Sequence, residues 1–130
     1  SIRVAGSELM AVSIEAFNAS WLKAWSDKDV ERLVSFYSDD AVYKDPQTAR
    51  GLKGHEQLRA YLTQMFAATP PMVYEPDETW AIENGFCGRW YCKVGETGDD
   101  NTLRGFDLVI LKDDKIAVNE VYLHELGGTQ

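Results

Sequence analysis

The stretch LRGFDLVILKDDKIAVNEVYLHEL, residues 103–126, contains two runs rich in β-branched and other apolar residues, one on each side of a DDK triplet. A period of two is typical of β-strands, and a short polar triplet between two such runs indicates a hairpin. One face of the first run carries Leu103, Gly105, Asp107, Val109 and Leu111. Both faces are apolar around the centre of this run, so we expect a strand that is buried on both sides.

Two further β-prone runs precede this hairpin, MVYEPDETWAIE (72–83) and GFCGRWYCKVGE (85–96). An Asn-Gly pair at 84–85 separates them, which is a strong hairpin signal. The second half of the chain is therefore predicted to form four antiparallel strands. In the run 85–96, apolar content favours Phe86, Trp90 and Cys92 facing inward, although a shift of one residue would reverse the faces.

The first half of the chain has helical spacing. Residues 6–29 predict one long amphipathic helix with Ser7 as its N-cap, and residues 29–37 a short second helix capped by Asp29. AVYKD (41–45) predicts a brief strand that ends at Pro46, and residues 46–54 a loop. Residues 55–69 predict a third helix, which ends before two prolines.

Helices followed by strands indicate an α+β fold with the helices packed on one face of a sheet. The length of 130 residues predicts one domain over 1–130, with residues 1–6 loose.

Cys87 and Cys92 lie five residues apart in one predicted strand, too far apart to form a disulfide. Free thiols and an N-terminus without a continuous apolar core predict a cytoplasmic protein.

The charge of the chain excludes several partner classes. The formal net charge is −8, and the thirteen Lys and Arg residues form no cluster. Nucleic acids and anionic membranes are attracted by clustered basic residues, so neither is an expected partner, and nucleotide substrates are disfavoured. No segment approaches the ~20 apolar residues of a membrane span.

Two aspartates are candidates for catalysis. Asp107 interrupts an apolar strand face, where a carboxyl group without a cationic partner tends to stay protonated. Asp45 precedes Pro46, which is also ordinary turn chemistry. If both faced one apolar cavity, one could accept a proton while the other, kept neutral, donated a hydrogen bond. The structural alternatives are an ion pair or the capping of a neighbouring loop for Asp107, and a simple turn for Asp45.

No cofactor or metal is expected. Neither His55 nor His124 has a second ligand-type residue at a suitable spacing. GETG (95–98) is a predicted hairpin tip, which lacks the strand-loop-helix context of a phosphate-binding loop.

Three segments carry a resemblance to a known family: DVERLVSFYSDDAVYKDP, GLKGHEQLRAYL and RGFDLVILKDDKI. They resemble SnoaL-like domains of the nuclear transport factor 2-like superfamily, over roughly residues 14–126. This group includes steroid isomerases, polyketide cyclases and limonene epoxide hydrolases. The resemblance implies three helices packed on a strongly curved antiparallel sheet, forming a cone with an apolar pocket inside.

The resemblance to the steroid isomerases also implies residue roles. Asp45 matches their general base and Asp107 their neutral oxyanion donor. Trp21 stands where their catalytic tyrosine would be, whereas the position of a supporting tyrosine is retained at Tyr37. Leu62 replaces a further tyrosine, with Tyr61 beside it. In the SnoaL-like cyclases a late-strand aspartate is the acid and base, and Asp107 is the closest match.

Large side chains predict the pocket wall, although aromatic residues at helical spacing are also common in plain cores. The candidate substrate-binding residues are Trp21, Tyr37, Tyr61, Leu62, Phe66, Trp90 and Asn119. Asn119 could orient a substrate carbonyl, or bond to neighbouring strand residues.

The outer sheet face carries Phe106, Leu108, Ile110 and Tyr122, an apolar patch that predicts a homodimer.

The leading hypothesis is a cofactor-independent enzyme that uses aspartate acid/base chemistry on a small, largely apolar carbonyl compound, as an isomerase or cyclase does. The alternative is a non-catalytic module for small-molecule binding or dimerisation on the same fold. An epoxide hydrolase is the weaker alternative, because Val121 stands where its last-strand aspartate would be and Arg104 faces away from Asp107.

Overall fold

The computed structural model describes residues 3–96 and 101–127, and side chains within 14–96 and 102–127. Three helices precede or interrupt the first strands, and four long strands follow them. The helices are α1 (Arg3–Asp27), α2 (Val30–Ser35) and α3 (Gly54–Ala68). The strands are β1 (Tyr37–Lys44), β2 (Leu52–Lys53), β3 (Met72–Ile82), β4 (Gly85–Val94), β5 (Asn101–Lys112) and β6 (Lys115–Glu125).

The helices lie close to their predicted positions, with one correction at the start of α1. That helix begins at Arg3, so Ser7 lies inside it and is not its N-cap. Asp29 caps α2 as predicted, because its carboxylate accepts a hydrogen bond from the backbone N–H of Arg32. Helix α3 ends at Ala68, ahead of the two prolines.

The sheet has six strands in the order β2-β1-β6-β5-β4-β3. Strands β3 to β6 pair antiparallel with their neighbours, as predicted. The expectation of a wholly antiparallel sheet is wrong in one respect, because β1 runs parallel to β6. The segment 46–54, predicted as a loop, contains the two-residue strand β2, which pairs with β1. Alternation of side chains predicts strands, but it carries no information on pairing direction.

The helices cover one face of the sheet and enclose the core there. Asp107 and Val109 of β5 face this core, and so do Phe86 and Trp90 of β4. The inward register of β4 is therefore confirmed. The prediction that β5 is buried on both faces is wrong for the single chain, since Phe106 on the outer face is 42% exposed.

Cys87 and Cys92 are free thiols, as their spacing predicted. Cys92 lies in the core, whereas Cys87 points to the outer face and is only partly buried. Across the part of the chain that the structure describes, no helix is both long and apolar enough to cross a membrane.

Candidate active site

A cavity opens between the helices and the inner face of the sheet. Its deep part, the inner chamber, has a volume of about 70 Å³, and the wider outer funnel has about 590 Å³. The inner chamber is lined by Leu22, Trp25, Tyr43, Asp45, Met65, Tyr74, Trp90, Asp107, Val121 and Leu123. The two spaces share the wall residues Asp45, Met65, Tyr74, Trp90 and Leu123, so they adjoin one another.

Asp45 follows β1 and lies at the boundary between the two spaces. Its Oδ1 accepts hydrogen bonds from the backbone N–H groups of Gln47 and Thr48 and from the Thr48 hydroxyl, each at 2.9 Å. Its Oδ2 accepts from the hydroxyls of Tyr43 at 2.9 Å and Tyr61 at 2.6 Å. Asp45 is thus both the turn residue that its Asp-Pro context suggests and a wall residue of the cavity, and it carries five donors that stabilise its negative charge.

The two tyrosines on Asp45 are hydrogen-bond donors that stay neutral. Burial raises the pKa of Tyr43 well above its ordinary value, and the adjacent charge of Asp45 raises it further. The same two causes, burial first, raise the pKa of Tyr61. Neither phenol ionises readily, so both stay protonated and donate hydrogen bonds to the carboxylate.

Asp107 lies deeper, at the centre of β5, and is 3% exposed. Its Oδ1 accepts from the indole N–H of Trp90 at 2.8 Å, and its Oδ2 from the side-chain amide of Asn119 at 2.9 Å. Burial raises the pKa of Asp107 to about 7, and the two hydrogen bonds only partly oppose that rise. Among the described side chains no cation forms a salt bridge with Asp107, so the predicted alternative of an ion pair is wrong.

A buried chain of hydrogen bonds orients Asp107. The Tyr37 hydroxyl donates to Oδ1 of Asn119 at 2.8 Å, which leaves the Asn119 amide group to face Asp107. On the other side, Trp90 packs across Gly105 of the neighbouring strand, where a side-chain carbon would overlap the indole ring. Both oxygens of Asp107 are therefore held by groups that are themselves fixed.

The structure divides the predicted wall residues into two groups. Tyr61, Phe66 and Trp90 line the cavity. Trp21, Tyr37, Leu62 and Asn119 are buried behind the wall and line neither space.

The wall also contains Trp25, together with two aromatic residues that were not among the candidates, Tyr43 and Tyr74. Tyr43 could have been found, because it shares a strand face with Asp45 two residues away. To predict Tyr74 as a wall residue, one would have to know how β3 pairs with β4, because this pairing places Tyr74 opposite Cys92. That pairing register is not visible in the sequence.

The chemistry available at this site is acid/base chemistry in an apolar space. Within the described residues, no group of three His, Cys, Asp or Glu side chains is placed to hold a metal ion. A carboxyl group that titrates near neutral pH can both donate and accept a proton there.

A family model for the SnoaL-like domain matches residues 19–119. No curated protein matches the chain significantly. Solved structures are similar in fold. One is a SnoaL-like protein of unknown function from Burkholderia thailandensis, with a TM-score of 0.72 and 19% identity over 88% of this chain and 95% of that one.

Two further structures share the fold. A candidate polyketide cyclase from Sinorhizobium meliloti has a TM-score of 0.70 and 19% identity, covering 86% of this chain and 98% of that one. A protein of unassigned function from Catenulispora acidiphila with a ketosteroid isomerase-like fold, in complex with trimethylamine, has a TM-score of 0.70 and 14% identity, covering 82% of this chain and 83% of that one. The predicted α+β cone is thereby confirmed.

Proposed function

The chain belongs to the SnoaL-like domain family, and we propose that it is a cofactor-independent enzyme that moves a proton on a small, largely apolar carbonyl compound. The reaction is of the isomerase or cyclase type, in which a proton leaves the carbon next to a carbonyl group. The solved structures of similar fold include a candidate polyketide cyclase, which supports this choice of chemistry.

The observation that carries the proposal is the environment of Asp107. This carboxyl group lines the inner chamber, lacks a cationic partner among the described residues and has a pKa raised to about 7 by burial. At neutral pH both of its protonation states are populated. The ionised form can accept the carbon-bound proton, and the neutral form can return it or donate a hydrogen bond to the carbonyl oxygen.

Asp45 is the second carboxyl group of the site, and the sequence predicted it as the general base. To accept a proton, its Oδ2 would have to give up the hydrogen bond from Tyr43 or Tyr61. The geometry therefore favours Asp107 as the group that carries the proton. Asp45 then serves as a fixed wall residue at the boundary between the inner chamber and the outer funnel.

The dimensions of the cavity fit a small molecule. The outer funnel, with about 590 Å³, falls in the range of small-molecule pockets, whereas the inner chamber of about 70 Å³ has room only for a reacting end. Leu103, Leu123, Met72 and Phe66 provide apolar surface in the outer funnel. The body of the substrate would lie against this surface, with its carbonyl group directed towards Asp107.

A binding module on the same fold is the second candidate. The five donors on Asp45 favour it, because a carboxylate so well satisfied needs no catalytic role. An epoxide hydrolase is the weakest candidate. Its reaction needs an arginine between two aspartates, yet Val121 is the β6 partner of Asp107 and Arg104 bonds to His124 on the outer face.

The experiment is proton exchange in heavy water, followed by NMR on a panel of small cyclic and open-chain ketones. We expect the protein to accelerate the exchange of the proton next to the carbonyl for at least one of them, without added metal or cofactor. The variant Asp107→Asn should lower that rate by ~10²-fold or more. Asp39→Asn is the matched control, since Asp39 is a fully exposed carboxylate on β1.

An equal rate in wild type and Asp107→Asn would contradict the assignment of Asp107. Binding of ketones without any exchange would favour the binding module instead.

A further inference from the structure

The walls of the cavity are negatively charged and aromatic. Two carboxyl groups, Asp45 and Asp107, line the inner chamber. Among the described residues, no Lys, Arg or His lines either the inner chamber or the outer funnel. The whole chain carries a net charge of −8. A ligand with a carboxylate or phosphate group would meet repulsion along this path, whereas a cation would be attracted.

The aromatic rings of the inner chamber form a continuous wall. Trp25 stacks on Tyr43 with centroids 6.3 Å apart and contacts Tyr74 at 5.9 Å. Tyr74 in turn packs against Trp90, with the two ring centroids 5.0 Å apart. The faces of aromatic rings attract organic cations, and the attraction grows when the cation is removed from water. A wall of four rings beside a carboxylate is a suitable environment for such a group.

The hydrogen bonding of Asp45 narrows the class of cation. Its two oxygens already accept five hydrogen bonds, so they offer little capacity for further N–H donors. A primary ammonium group would keep unsatisfied donors in this apolar space, at a cost. A quaternary or tertiary ammonium group has few or no N–H donors. It needs only charge and a polarisable wall, which Asp45, Tyr74 and Trp90 supply.

We propose that the neck of the cavity, formed by Asp45 with Tyr43, Tyr74 and Trp90, binds a methylated ammonium group of the ligand. Asp45 acts there as the charge partner, and the aromatic rings enclose the methyl groups. The proposal rests on the proposed function for its division of roles, because Asp107 is then free to act on the part of the substrate that reaches the inner chamber. The substrate class becomes small carbonyl compounds that carry a tertiary or quaternary ammonium group.

The test compares two probes of the same shape that differ in charge, choline and 3,3-dimethyl-1-butanol. Their dissociation constants are measured by NMR titration of the wild-type protein at pH 6, where Asp107, with a pKa of about 7, is mostly neutral. We expect choline to bind about tenfold more tightly than the neutral alcohol. Equal affinities, or tighter binding of the alcohol, would overturn the proposal.

Variants test which carboxylate causes the preference for choline over the neutral alcohol. Asp45→Asn should abolish the preference for choline. Asparagine can still accept the turn hydrogen bonds at Oδ1, and its amide can donate to the tyrosine hydroxyls. Asp39→Asn, which removes an exposed carboxylate, should leave the preference unchanged. If Asp45→Asn keeps the full preference, Asp45 is not the charge partner and the proposal fails.

Asp107→Asn separates this proposal from the proposed function. It should stop proton exchange but retain the preference for choline at pH 6, because Asp45 and the rings remain. Loss of the preference in this variant would place the cation at Asp107 and contradict the neck site. Absence of exchange in the wild type, together with selective choline binding, would contradict the enzyme and support the neck site.

Discussion

The buried carboxyl group of Asp107 links the stability of the protein to pH. Its pKa is raised from the ordinary value of 3.8 to about 7, with burial as the main cause. The folded protein therefore holds this proton more tightly than the unfolded chain does. Between about pH 4 and pH 7 the unfolded chain loses the proton first, so the contribution of this group to stability falls as pH rises through that window. Above about pH 7 the carboxyl group is ionised in the folded protein too, and the folded state then bears the full free-energy cost of burying this charge.

Replacing Asp107 by Asn should remove this pH dependence. From pH 5 to pH 8, the free energy of unfolding of Asp107→Asn should rise relative to wild type by about 2–4 kcal/mol, because the variant has no charge to bury. Urea denaturation at a series of pH values measures the difference. A difference that stays constant with pH would mean that Asp107 titrates normally in the folded protein.

The hydroxyl of Tyr37 supports the same carboxyl group through Asn119. In Tyr37→Phe the buried Oδ1 of Asn119 loses its donor, which should lower the free energy of unfolding by about 1–3 kcal/mol. Tyr122→Phe is the matched control, because the Tyr122 hydroxyl bonds to Glu120 at the surface and its loss should have little effect. If the free energy of unfolding falls equally in the two variants, the buried hydrogen bond contributes no more to stability than the exposed one.

At the scale of residues, the sequence predicted the two carboxyl groups of the site better than their surroundings. Asp107 was singled out because a carboxylate interrupts an apolar strand face, and Asp45 because it precedes Pro46 after a short strand and also matches the general base in the resemblance. The hydrogen bond from Tyr61 to Asp45 depends on how α3 packs against the end of β1, which the sequence does not show. Asn119 was expected to contact substrate, but it lies behind Asp107 and bonds to it.

The C-terminal end of helix α3 is capped by a lysine from the turn between α1 and α2. The ammonium group of Lys28 donates to the carbonyl oxygens of Phe66 and Thr69 and to the Thr69 hydroxyl. Lys28→Met should lower the free energy of unfolding by about 1–2 kcal/mol, since these acceptors lose a charged donor. Lys23→Met removes only an exposed ion pair with Asp27 and should change stability by about 0.5 kcal/mol or less. Similar losses in both variants would contradict the capping role.

The contact of β4 with β5 fixes Trp90, and through it Asp107. A methyl group at position 105 would overlap the Trp90 indole, so Gly105→Ala should force that ring to move. We expect a loss of about 2–4 kcal/mol in stability and a weakened hydrogen bond from Trp90 to Asp107. The indole N–H resonance of Trp90 in an NMR spectrum reports the second effect. An unshifted resonance would contradict this packing.

At the scale of elements, the four long strands and α3 were predicted to within one or two residues, because alternation and turn residues mark their ends. The parallel pairing of β1 with β6 was not predictable, since it joins segments far apart in the chain. The start of α1 was misplaced because a single N-cap signal at Ser7 competes weakly with continued helix.

The outer face of the sheet suggests how two copies would associate. Phe106 and Tyr122 are 42% and 60% exposed, and Trp80 packs beside Phe106 at 5.8 Å. Charges of both signs surround this patch, including Arg89 and Asp77, so it can face a second copy of itself across a twofold axis. We therefore keep the homodimer as a proposal.

Sedimentation measurements over a range of concentrations test the homodimer. Wild type should sediment as a dimer, and Phe106→Asp should shift it to monomer by burying a charge in the interface. Thr63→Asp adds the same charge on the exposed side of α3 and should leave the dimer intact. A wild-type protein that stays monomeric at all concentrations would contradict the proposal.

At the scale of the whole molecule, the resemblance predicted the cone and the presence of a pocket. Only the packed structure shows how large the pocket is and that it is divided into two spaces. It also shows that, among the described residues, no basic side chain lines the pocket wall. These features depend on contacts between α1, α3 and the sheet that no local pattern contains. The reaction belongs to the site rather than to the fold, which hosts many activities.

The central claim is that Asp107 is a proton carrier poised near neutral pH, and its titration tests that claim most directly. The chemical shift of its side-chain carboxyl carbon can be followed by ¹³C NMR from pH 3 to pH 9, with Asp107→Asn used to assign the signal. We expect a midpoint near pH 7, because burial raises the pKa of Asp107 to about 7. A midpoint near the ordinary 3.8 would show a carboxylate that is ionised throughout the neutral range, and proton transfer by Asp107 would then be wrong.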